Sequence, residues 1–176
     1  MKTIPLKEFS SRAFSLFDDD WFLLASGDFN KGIFNAMTIS WGSFGTMWNK
    51  PIAMVAVRPT RYTYEFINRS GDFSLCGFTR EHRAAMRLLG TKSGRDSEKI
   101  AESGLTPIMA ESIQSPVFAE ASIVMECRTI YSQDMDPGRF IDPDIIKHYT
   151  ENDFHRFFIG EVLLVRGTKQ FLQDTF

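Results

Sequence analysis

The stretch that decides the fold is NAMTISWGSFGTMWNKPIAMVAVRPTRYT, residues 35–63. It contains two short β-type runs, the first alternating and the second apolar, joined by a Gly-rich loop predicted over Gly42–Lys50. It ends in a turn that leads into a predicted helix and carries Arg58, Thr60, Arg61 and Thr63. Because the start of a helix offers unpaired N–H groups and a partial positive charge, this turn is suited to bind an anion.

Two kinds of side chain in the turn favour phosphate as that anion. Thr60 and Thr63 carry hydroxyl donors, and an arginine supplies a guanidinium that pairs with two phosphate oxygens at once. A second polar turn, SGRDSEK at residues 93–99, is predicted to form the other side of the site. The same residues are also compatible with a helix that Thr60 merely caps and with arginines that face solvent.

The strand predicted over Phe34–Trp41 has one bulky face and one small, polar face. Ala36, Thr38 and Ser40 share the small face, which leaves room for a flat ring to lie against the backbone. An ordinary strand with one solvent-facing side has the same pattern, so both interpretations stay open.

Composition limits the class of protein. A chain of 176 residues with 43% apolar and 24% charged residues is typical of a soluble globular protein, and we predict one domain over residues 1–176. The net charge of −2, with both signs interspersed, disfavours a nucleic-acid partner. The 17 phenylalanines predict large aromatic surfaces in a core, a ligand site or a subunit contact.

Cysteine usage and the apolar runs bear on the compartment. Cys76 and Cys127 both lie inside apolar runs, and no Cys/His cluster has metal-ligand spacing, so we predict buried free thiols and no metal site. The N-terminal segment lacks the apolar core of a signal peptide, and no apolar run is long enough to cross a bilayer. The sequence therefore predicts a cytoplasmic location.

The remaining pattern predicts mostly strands, with helices inserted after the third strand. The predicted helices are Thr60–Asn68, Arg80–Leu89 ended by Gly90, and a third from about Asp96 to Gly104, whereas Gln133–Asp153 reads as an irregular insertion with one helical turn. This arrangement predicts a mainly β fold with inserted helices, a small barrel of the α+β class.

Several known chemistries have no motif in this chain. The GxGxxG, GxxxxGK[ST] and GxSxG patterns are all absent, which disfavours a Rossmann dinucleotide site, a Walker P-loop and a hydrolase elbow. His155 stands alone just before a predicted strand, and from the residues by themselves a structural role is the simpler interpretation.

Four segments in register carry a family resemblance: NAMTISWGSFG, NKP followed by VAVRPTRYT, SGRDSEK, and HRFFIGEV. Together they resemble the flavin reductase-like family, and most of all its flavoredoxin-type branch. The matching segments extend from about Trp21 to Val165. The resemblance implies an FMN-binding split β-barrel that forms a homodimer.

The resemblance also implies roles for individual residues. Ring and ribityl contacts fall on Asn35, Ala36, Met37, Thr38 and Ser40. The turn that receives the ribityl phosphate falls on Val57, Arg58, Thr60 and Thr63, with Arg61 and Tyr62 as close neighbours. The segment facing the phosphate contributes Ser93, Gly94 and Lys99. His155 matches a family histidine near the reactive face of the flavin, and Phe157 or Phe158 could approach a flavin across the dimer contact.

The implied activity is reduction of FMN by NADH or NADPH, with hydride transfer to flavin N5. Two alternatives remain open at this stage: a flavoredoxin-like electron carrier with tightly bound FMN, and a non-catalytic barrel that binds a phosphorylated ligand. The insertion at Gln133–Asp153 is less family-like than the rest of the chain, so substrate preference is not carried over.

Overall fold

Strands dominate the structure, a computed structural model that describes residues 1–172. The strands are β1 (Lys2–Thr3), β2 (Phe22–Asp28), β3 (Ile33–Ile39), β4 (Gly42–Met47), β5 (Lys50–Val57), β6 (Asp72–Gly77), β7 (Pro107–Ile108), β8 (Val117–Phe118), β9 (Ile123–Asp134) and β10 (Arg156–Gly167). The α-helices are α1 (Tyr62–Ser70), α2 (Arg83–Thr91) and α3 (Lys99–Ser103). Short 3-10 turns occupy Leu6–Glu8, Arg80–His82, Pro137–Arg139, Ile145–His148 and Lys169–Phe171, and a π-helical segment occupies Leu16–Asp20.

One antiparallel sheet organises the chain. Its strand order is β3-β2-β6-β9-β10-β5-β4, with β1 added alongside β10, while β7 and β8 form a separate pair. Irregularities in the pairing of β9 with β10, between Ile159 and Gly160 and between Val162 and Leu164, bend these two long strands. The mainly β architecture with inserted helices that the sequence predicts is confirmed.

The centre of the sheet is buried on both faces because alternate side chains enter two different cores. Phe22 and Leu24 of β2 belong to the interior core, whereas Leu23 lies in a second core on the outer face. Helix α1 contributes Ile67 to the interior core, and α2 covers the outer face with Met86 and Leu89 among its buried side chains. Within residues 1–172, no helix has the length and apolar character required to cross a bilayer.

The prediction of a loop over Gly42–Lys50 is wrong, because most of this segment forms strand β4 and its last residue begins β5. The prediction gave weight to Gly42 and Gly45, which disfavour strands, but Phe44 packs its ring 4.9 Å from that of Phe17 and anchors the strand. The actual turn is Trp48-Asn49, and both residues have positive φ, at 52° and 58°. That conformation is the one required by a tight two-residue hairpin.

Helix ends also differ from the prediction. Arg61, not Thr60, occupies the position before α1, and no side chain caps its first turn. Helix α2 does not end at Gly90 but continues to Thr91. Gly90 instead allows close packing against β3, because a Cβ there would lie 3.2 Å from Cβ of Thr38. Helix α3 begins at Lys99 rather than near Asp96.

Both cysteines are buried free thiols, in agreement with the sequence prediction. Burial raises the pKa of Cys76 to about 12 and also raises the pKa of Cys127. Neither thiol is therefore a reactive thiolate at neutral pH.

Candidate functional site

A cavity of about 190 Å³ lies where β3 leaves the sheet, beside the end of β5. It gathers six residues that the resemblance predicts for a flavin site and that lie far apart in the chain. The lining residues are Met37, Thr38, Ile39, Ser40, Trp41, Ala56, Arg58, Arg61 and His155.

The backbone around Trp41 forms one wall of this cavity. Ser40 and Trp41 connect β3 to β4, and the N–H of Ala56 in β5 donates to the carbonyl oxygen of Trp41 at 3.3 Å. The indole of Trp41 lies 4.9 Å from the imidazole of His155, and 43% of the Trp41 residue surface is exposed. An exposed aromatic ring at the rim of a cavity offers a stacking surface for a flat ligand.

The two polar turns meet in space. Arg95, from the second turn, donates through Nη1 to the carbonyl oxygen of Thr60 at 3.1 Å and pairs through Nη2 with Glu65 at 2.5 Å. Its guanidinium also lies 4.9 Å from the ring centre of Tyr62. The bend after β5 and the SGRDSEK turn are thus in direct contact.

Two cations from this region converge on the C-terminal end of α2. Arg61 donates through Nη2 to the carbonyl oxygen of Gly90 at 2.6 Å, and Lys99 donates through Nζ to those of Leu89 and Lys92, both at 3.1 Å. Cations are favoured there because the carbonyls at a helix C-terminus lack intrahelical partners and carry partial negative charge. Within residues 1–172, neither Arg61 nor Lys99 forms an ion pair with a carboxylate.

Burial of these cations lowers their pKa values. The pKa of Lys99, only 3% exposed, falls to about 8, mainly through burial and secondly through the charge of Arg61. The pKa of Arg61 is lowered by burial and by the neighbouring Arg58. Lys99 and Arg61 both lack a carboxylate partner within residues 1–172, and this lack favours an anion as ligand.

The buried ammonium of Lys99 makes stability depend on pH in a defined window. Between about 8, its folded pKa, and the ordinary value of 10.5, the unfolded chain binds more protons than the folded one. The free energy of unfolding should therefore rise with pH across this window, by about 3 kcal/mol in total. Urea unfolding of the ligand-free protein at about pH 7 and about pH 10 measures the change. A Lys99→Met variant is the control, and its free energy of unfolding should lack this increase. Parallel pH dependence of the two proteins would contradict the burial argument.

Arg58 contacts the insertion, whereas Arg61 and Lys99 contact the end of α2. Its Nη1 donates to the carboxylate of Asp153 at 2.6 Å, and its Nη2 donates to the carbonyl oxygen of His148 at 2.7 Å. The guanidinium lowers the pKa of Asp153, which keeps that carboxylate ionised. Arg58 thus fastens the insertion beside the cavity.

Behind the bend after β5 lies a small polar pair. The amide Nδ2 of Asn35 in β3 donates to Oγ1 of Thr63 in α1 at 2.8 Å, and both side chains are buried. Gly94 packs directly over this pair: a Cβ there would lie 2.5 Å from Oδ1 of Asn35 and 3.0 Å from Cδ1 of Tyr62. The glycine therefore allows the SGRDSEK turn to approach the bend after β5.

Replacing Gly94 by alanine should lower the free energy of unfolding by about 1–3 kcal/mol, because the added methyl group would overpack this contact. Gly45→Ala is the matched control, since nothing lies within 4 Å of a Cβ at that position. Urea unfolding of both variants measures the difference. Equal effects of the two substitutions would show that the contact at Gly94 is not tight.

His155 is a buried, neutral imidazole. Its Nδ1 lies 2.9 Å from the hydroxyl of Tyr149, and the residue is 8% exposed. Burial first, and the charge of Arg58 second, lower its pKa to about 4, against an opposing effect of Asp153. At neutral pH, His155 therefore carries one ring proton and no charge.

Part of the strand face predicted to lie against a ring is covered, and other predicted site residues lie away from the cavity. Ala36 and the hydroxyl of Thr38 do not leave a face free for a ring, because α2 covers that face and Thr38 donates to the carbonyl oxygen of Met86 at 2.6 Å. The predicted role of Phe158 is corrected. This residue is 1% exposed in the interior core and cannot reach a flavin across a subunit contact. The predicted residues that do not line the cavity are Asn35, Ala36, Val57, Thr60, Tyr62, Thr63, Ser93, Gly94, Lys99, Phe157 and Phe158.

Sequence reasoning left two important neighbours of the cavity out of the site. Trp41 was predicted only as the last residue of the strand Phe34–Trp41. Its position beside Gly42, at the end of that strand, was a usable signal that it could belong to the site. Tyr149 lies in the insertion, where no periodic pattern places a side chain. Long-range packing brings Trp41 against His155, and the fold of the insertion brings Tyr149 against it from six residues away.

The sequence of this chain matches the model of a known protein family. The sequence model of the flavin reductase like domain matches residues 22–173. The chain belongs to this family. The sequence resemblance to flavin reductase-like proteins is thereby confirmed.

Solved structures place the family fold on this chain. A flavoredoxin from Methanosarcina acetivorans is 25% identical with a TM-score of 0.67, covering 87% of this chain and 70% of its own. An FMN-binding domain of a flavin reductases-like enzyme from Shewanella baltica has 22% identity and a TM-score of 0.66, over 93% of this chain and 74% of its own. A candidate flavin reductase with a split barrel domain, from Shewanella frigidimarina, has 17% identity and a TM-score of 0.68, over 96% and 82%. The split-barrel fold is confirmed.

A curated relative is similar over a shorter stretch. An uncharacterized protein from Aeropyrum pernix is 37% identical over 83 residues. The match covers 46% of this flavin reductase-like chain but only 31% of the relative's length.

Proposed function

We propose that this flavin reductase-like protein is an FMN-binding oxidoreductase that uses NADH or NADPH to reduce the flavin. One observation carries the proposal: residues that the family resemblance assigns to a flavin site, dispersed from Met37 to His155, line a single cavity. The cavity joins a wall with the positive charge of Arg61, beside the Arg58–Asp153 ion pair, to an apolar wall with Met37 and Trp41. A flavin mononucleotide has a matching pair of ends, an anionic phosphate and a flat ring.

The chemistry of the donor groups fits the phosphate. Arg61 lines the cavity, and one bond to a backbone carbonyl leaves the rest of its five N–H donors available. The first turn of α1 has no side-chain cap, so its N–H groups near Tyr62 and Thr63 are also available to an anion. Arg61 and the start of α1 would hold the phosphate, with Lys99 adding positive charge from behind.

The residues at the other end of the cavity fit a ring. Met37, Ile39 and Trp41 supply apolar surface, and His155 supplies one hydrogen-bonding ring nitrogen without a net charge. When bound, FMN supplies the capacity to accept hydride and pass electrons on. The protein would orient the ring, exclude water from the face against β3, and keep a neutral hydrogen-bonding group at the opposite wall.

The size of the cavity supports a homodimer as part of the proposal. Its volume of about 190 Å³ is below the roughly 300–1,000 Å³ usual for small-molecule sites, so one chain encloses only part of a flavin. A second copy packed against the exposed rim at Trp41 would complete the enclosure. Sedimentation of the FMN-bound protein at micromolar concentration measures the assembly. A cytoplasmic location remains a prediction from the sequence.

The likeness to a flavoredoxin favours a second candidate function. That flavoredoxin shares 25% identity over 87% of this chain. In this alternative the chain holds FMN tightly and exchanges electrons with a protein or small donor other than a nicotinamide nucleotide. The two candidates differ in the electron donor and not in the flavin site.

The spectrum of the purified protein tests the function. Titration with FMN should produce a bound-flavin spectrum, and anaerobic addition of NADH or NADPH should then bleach the absorbance near the long-wavelength flavin band. A bound flavin that neither nucleotide reduces, but that a chemical reductant does, would favour the carrier. Protein that binds no FMN would reject both candidates.

A further inference from the structure

Tyr149 is held rigidly beside the cavity by the aromatic side chains of the insertion. Its ring stacks against that of Phe154 at 4.7 Å and that of Phe140 at 5.9 Å, and only 3% of the residue is exposed. The guanidinium of Arg58 lies 5.1 Å from the ring centre. These contacts fix where the phenol hydroxyl points.

The hydroxyl of Tyr149 has two possible acceptors and only one proton. Nδ1 of His155 lies 2.9 Å from it, and the thioether sulfur of Met135 lies 3.2 Å from it. A phenol hydroxyl is a stronger donor than an imidazole N–H, and an imidazole nitrogen is a stronger acceptor than a phenol oxygen or a thioether sulfur, so the O–H bond is directed to Nδ1. A neutral imidazole that accepts at Nδ1 carries its proton on Nε2.

The charges around His155 act against a second ring proton. Arg58, from the bend after β5, and Asp153, from the insertion, face the imidazole with opposite effects. His148 contacts the far edge of Trp41, 5.7 Å from the indole, and Tyr149 remains neutral because burial raises its pKa. Burial and Arg58 outweigh Asp153, which leaves the singly protonated ring as the form present at neutral pH.

We propose that Tyr149 is a positioning residue that holds His155 as the Nε2–H tautomer, so that this wall of the cavity offers a hydrogen-bond donor and not a base. Because Tyr149 occupies Nδ1, Nε2 is the ring atom left for a molecule in the cavity. The ligand atom at this wall is then an acceptor, such as a carbonyl oxygen of a flavin or of a carboxamide. Only the identity of the ligand rests on the proposed function; the tautomer belongs to the protein alone.

Nitrogen-15 NMR of the ligand-free protein at neutral pH tests the tautomer directly. Long-range correlations between the ring carbon-bound protons and the two nitrogens of His155 distinguish a protonated Nε2 from a protonated Nδ1. The expected result for the wild type is a protonated Nε2 with a lone pair on Nδ1. A protonated Nδ1 would overturn the proposal, whatever the variants show.

Tyr149→Phe removes the hydroxyl and keeps the aromatic stack with Phe154 and Phe140. The ratio of Nε2–H to Nδ1–H forms should then fall by about fivefold to tenfold, the value of one neutral hydrogen bond. The pKa of His155 should also rise toward its ordinary value, because the neutral ring loses a bond that it accepts. Unchanged tautomer populations in this variant would also overturn the proposal.

Two further variants separate this result from the question of flavin binding. Met135→Leu removes the alternative acceptor and should leave the tautomer as in the wild type. Arg61→Met should weaken FMN binding without changing the tautomer of His155. If FMN fails to bind to any protein while the wild-type ring is Nε2–H, the proposed function fails and the positioning role of Tyr149 stands. A shift of the tautomer in Met135→Leu would instead contradict the assignment of the hydroxyl proton.

Discussion

Replacement of Arg61 by methionine is expected to lower the affinity for FMN by about tenfold to hundredfold. Arg61 lines the cavity, donates to the carbonyl oxygen of Gly90 at 2.6 Å, and has no carboxylate partner within residues 1–172. Loss of a hydrogen bond to a charged group costs about 1.5–3 kcal/mol, which gives this range of affinity. Methionine keeps much of the side-chain length, so the effect reports the charge. Quenching of flavin fluorescence on titration measures the dissociation constant.

The control for Arg61→Met is Arg87→Met, which removes an exposed guanidinium on α2 that does not line the cavity. This variant should bind FMN like the wild type. Riboflavin, which lacks the phosphate, is the second control, and its affinity should be nearly the same for wild type and Arg61→Met. An equal loss of FMN and riboflavin affinity would place Arg61 elsewhere than at the phosphate. Unchanged FMN affinity would reject the anion site.

Phe158→Ala is expected to lower the free energy of unfolding by about 3–5 kcal/mol, because it opens a large cavity in the interior core. Phe158 is 1% exposed, and its ring lies 6.1 Å from that of Tyr64 in an edge-to-face contact. Phe157, its neighbour in β10, is only partly buried, so Phe157→Ala should cost about 1 kcal/mol or less. Urea unfolding of both variants under the same conditions measures the two values.

These two substitutions also decide which phenylalanine remains a candidate for a flavin contact across a dimer. Successive side chains of a strand point to opposite faces, so a fully buried Phe158 leaves Phe157 on the other face. Phe157→Ala should change FMN affinity only if a second subunit contributes to the site. A small effect of Phe158→Ala on stability would contradict the interior position assigned to its ring.

Elements whose residues meet their partners locally could be predicted from sequence. The alternation in β3, the continuous apolar run of β5, the left-handed Gly71 after α1 and the basic bend before that helix follow from short-range preferences. These elements also bring Met37, Arg58 and Arg61 to one cavity, in agreement with the family resemblance. The polar character of the site was therefore visible before its geometry was known.

Features that depend on distant packing could not be predicted. The small side chains Ala36 and Thr38 fit a flat ring and a helix equally well, and only the position of α2 shows that the helix covers them. Lys99 has the charge expected of a phosphate ligand, but its ammonium is directed to carbonyls at the end of α2. In both cases the missing information was which element lies above the residue, and sequence periodicity does not encode that.

The carbonyl oxygens at the end of α2 hold cations that come from two other parts of the chain. An anion that draws on either cation must therefore alter how firmly that helix end is tethered, and the influence is mutual by thermodynamic linkage. Occupancy of the site by an anion and local order of α2 are for this reason two readings of one equilibrium. Substitutions that loosen this helix end are therefore expected to weaken the binding of such an anion, even where they replace no residue that lines the cavity.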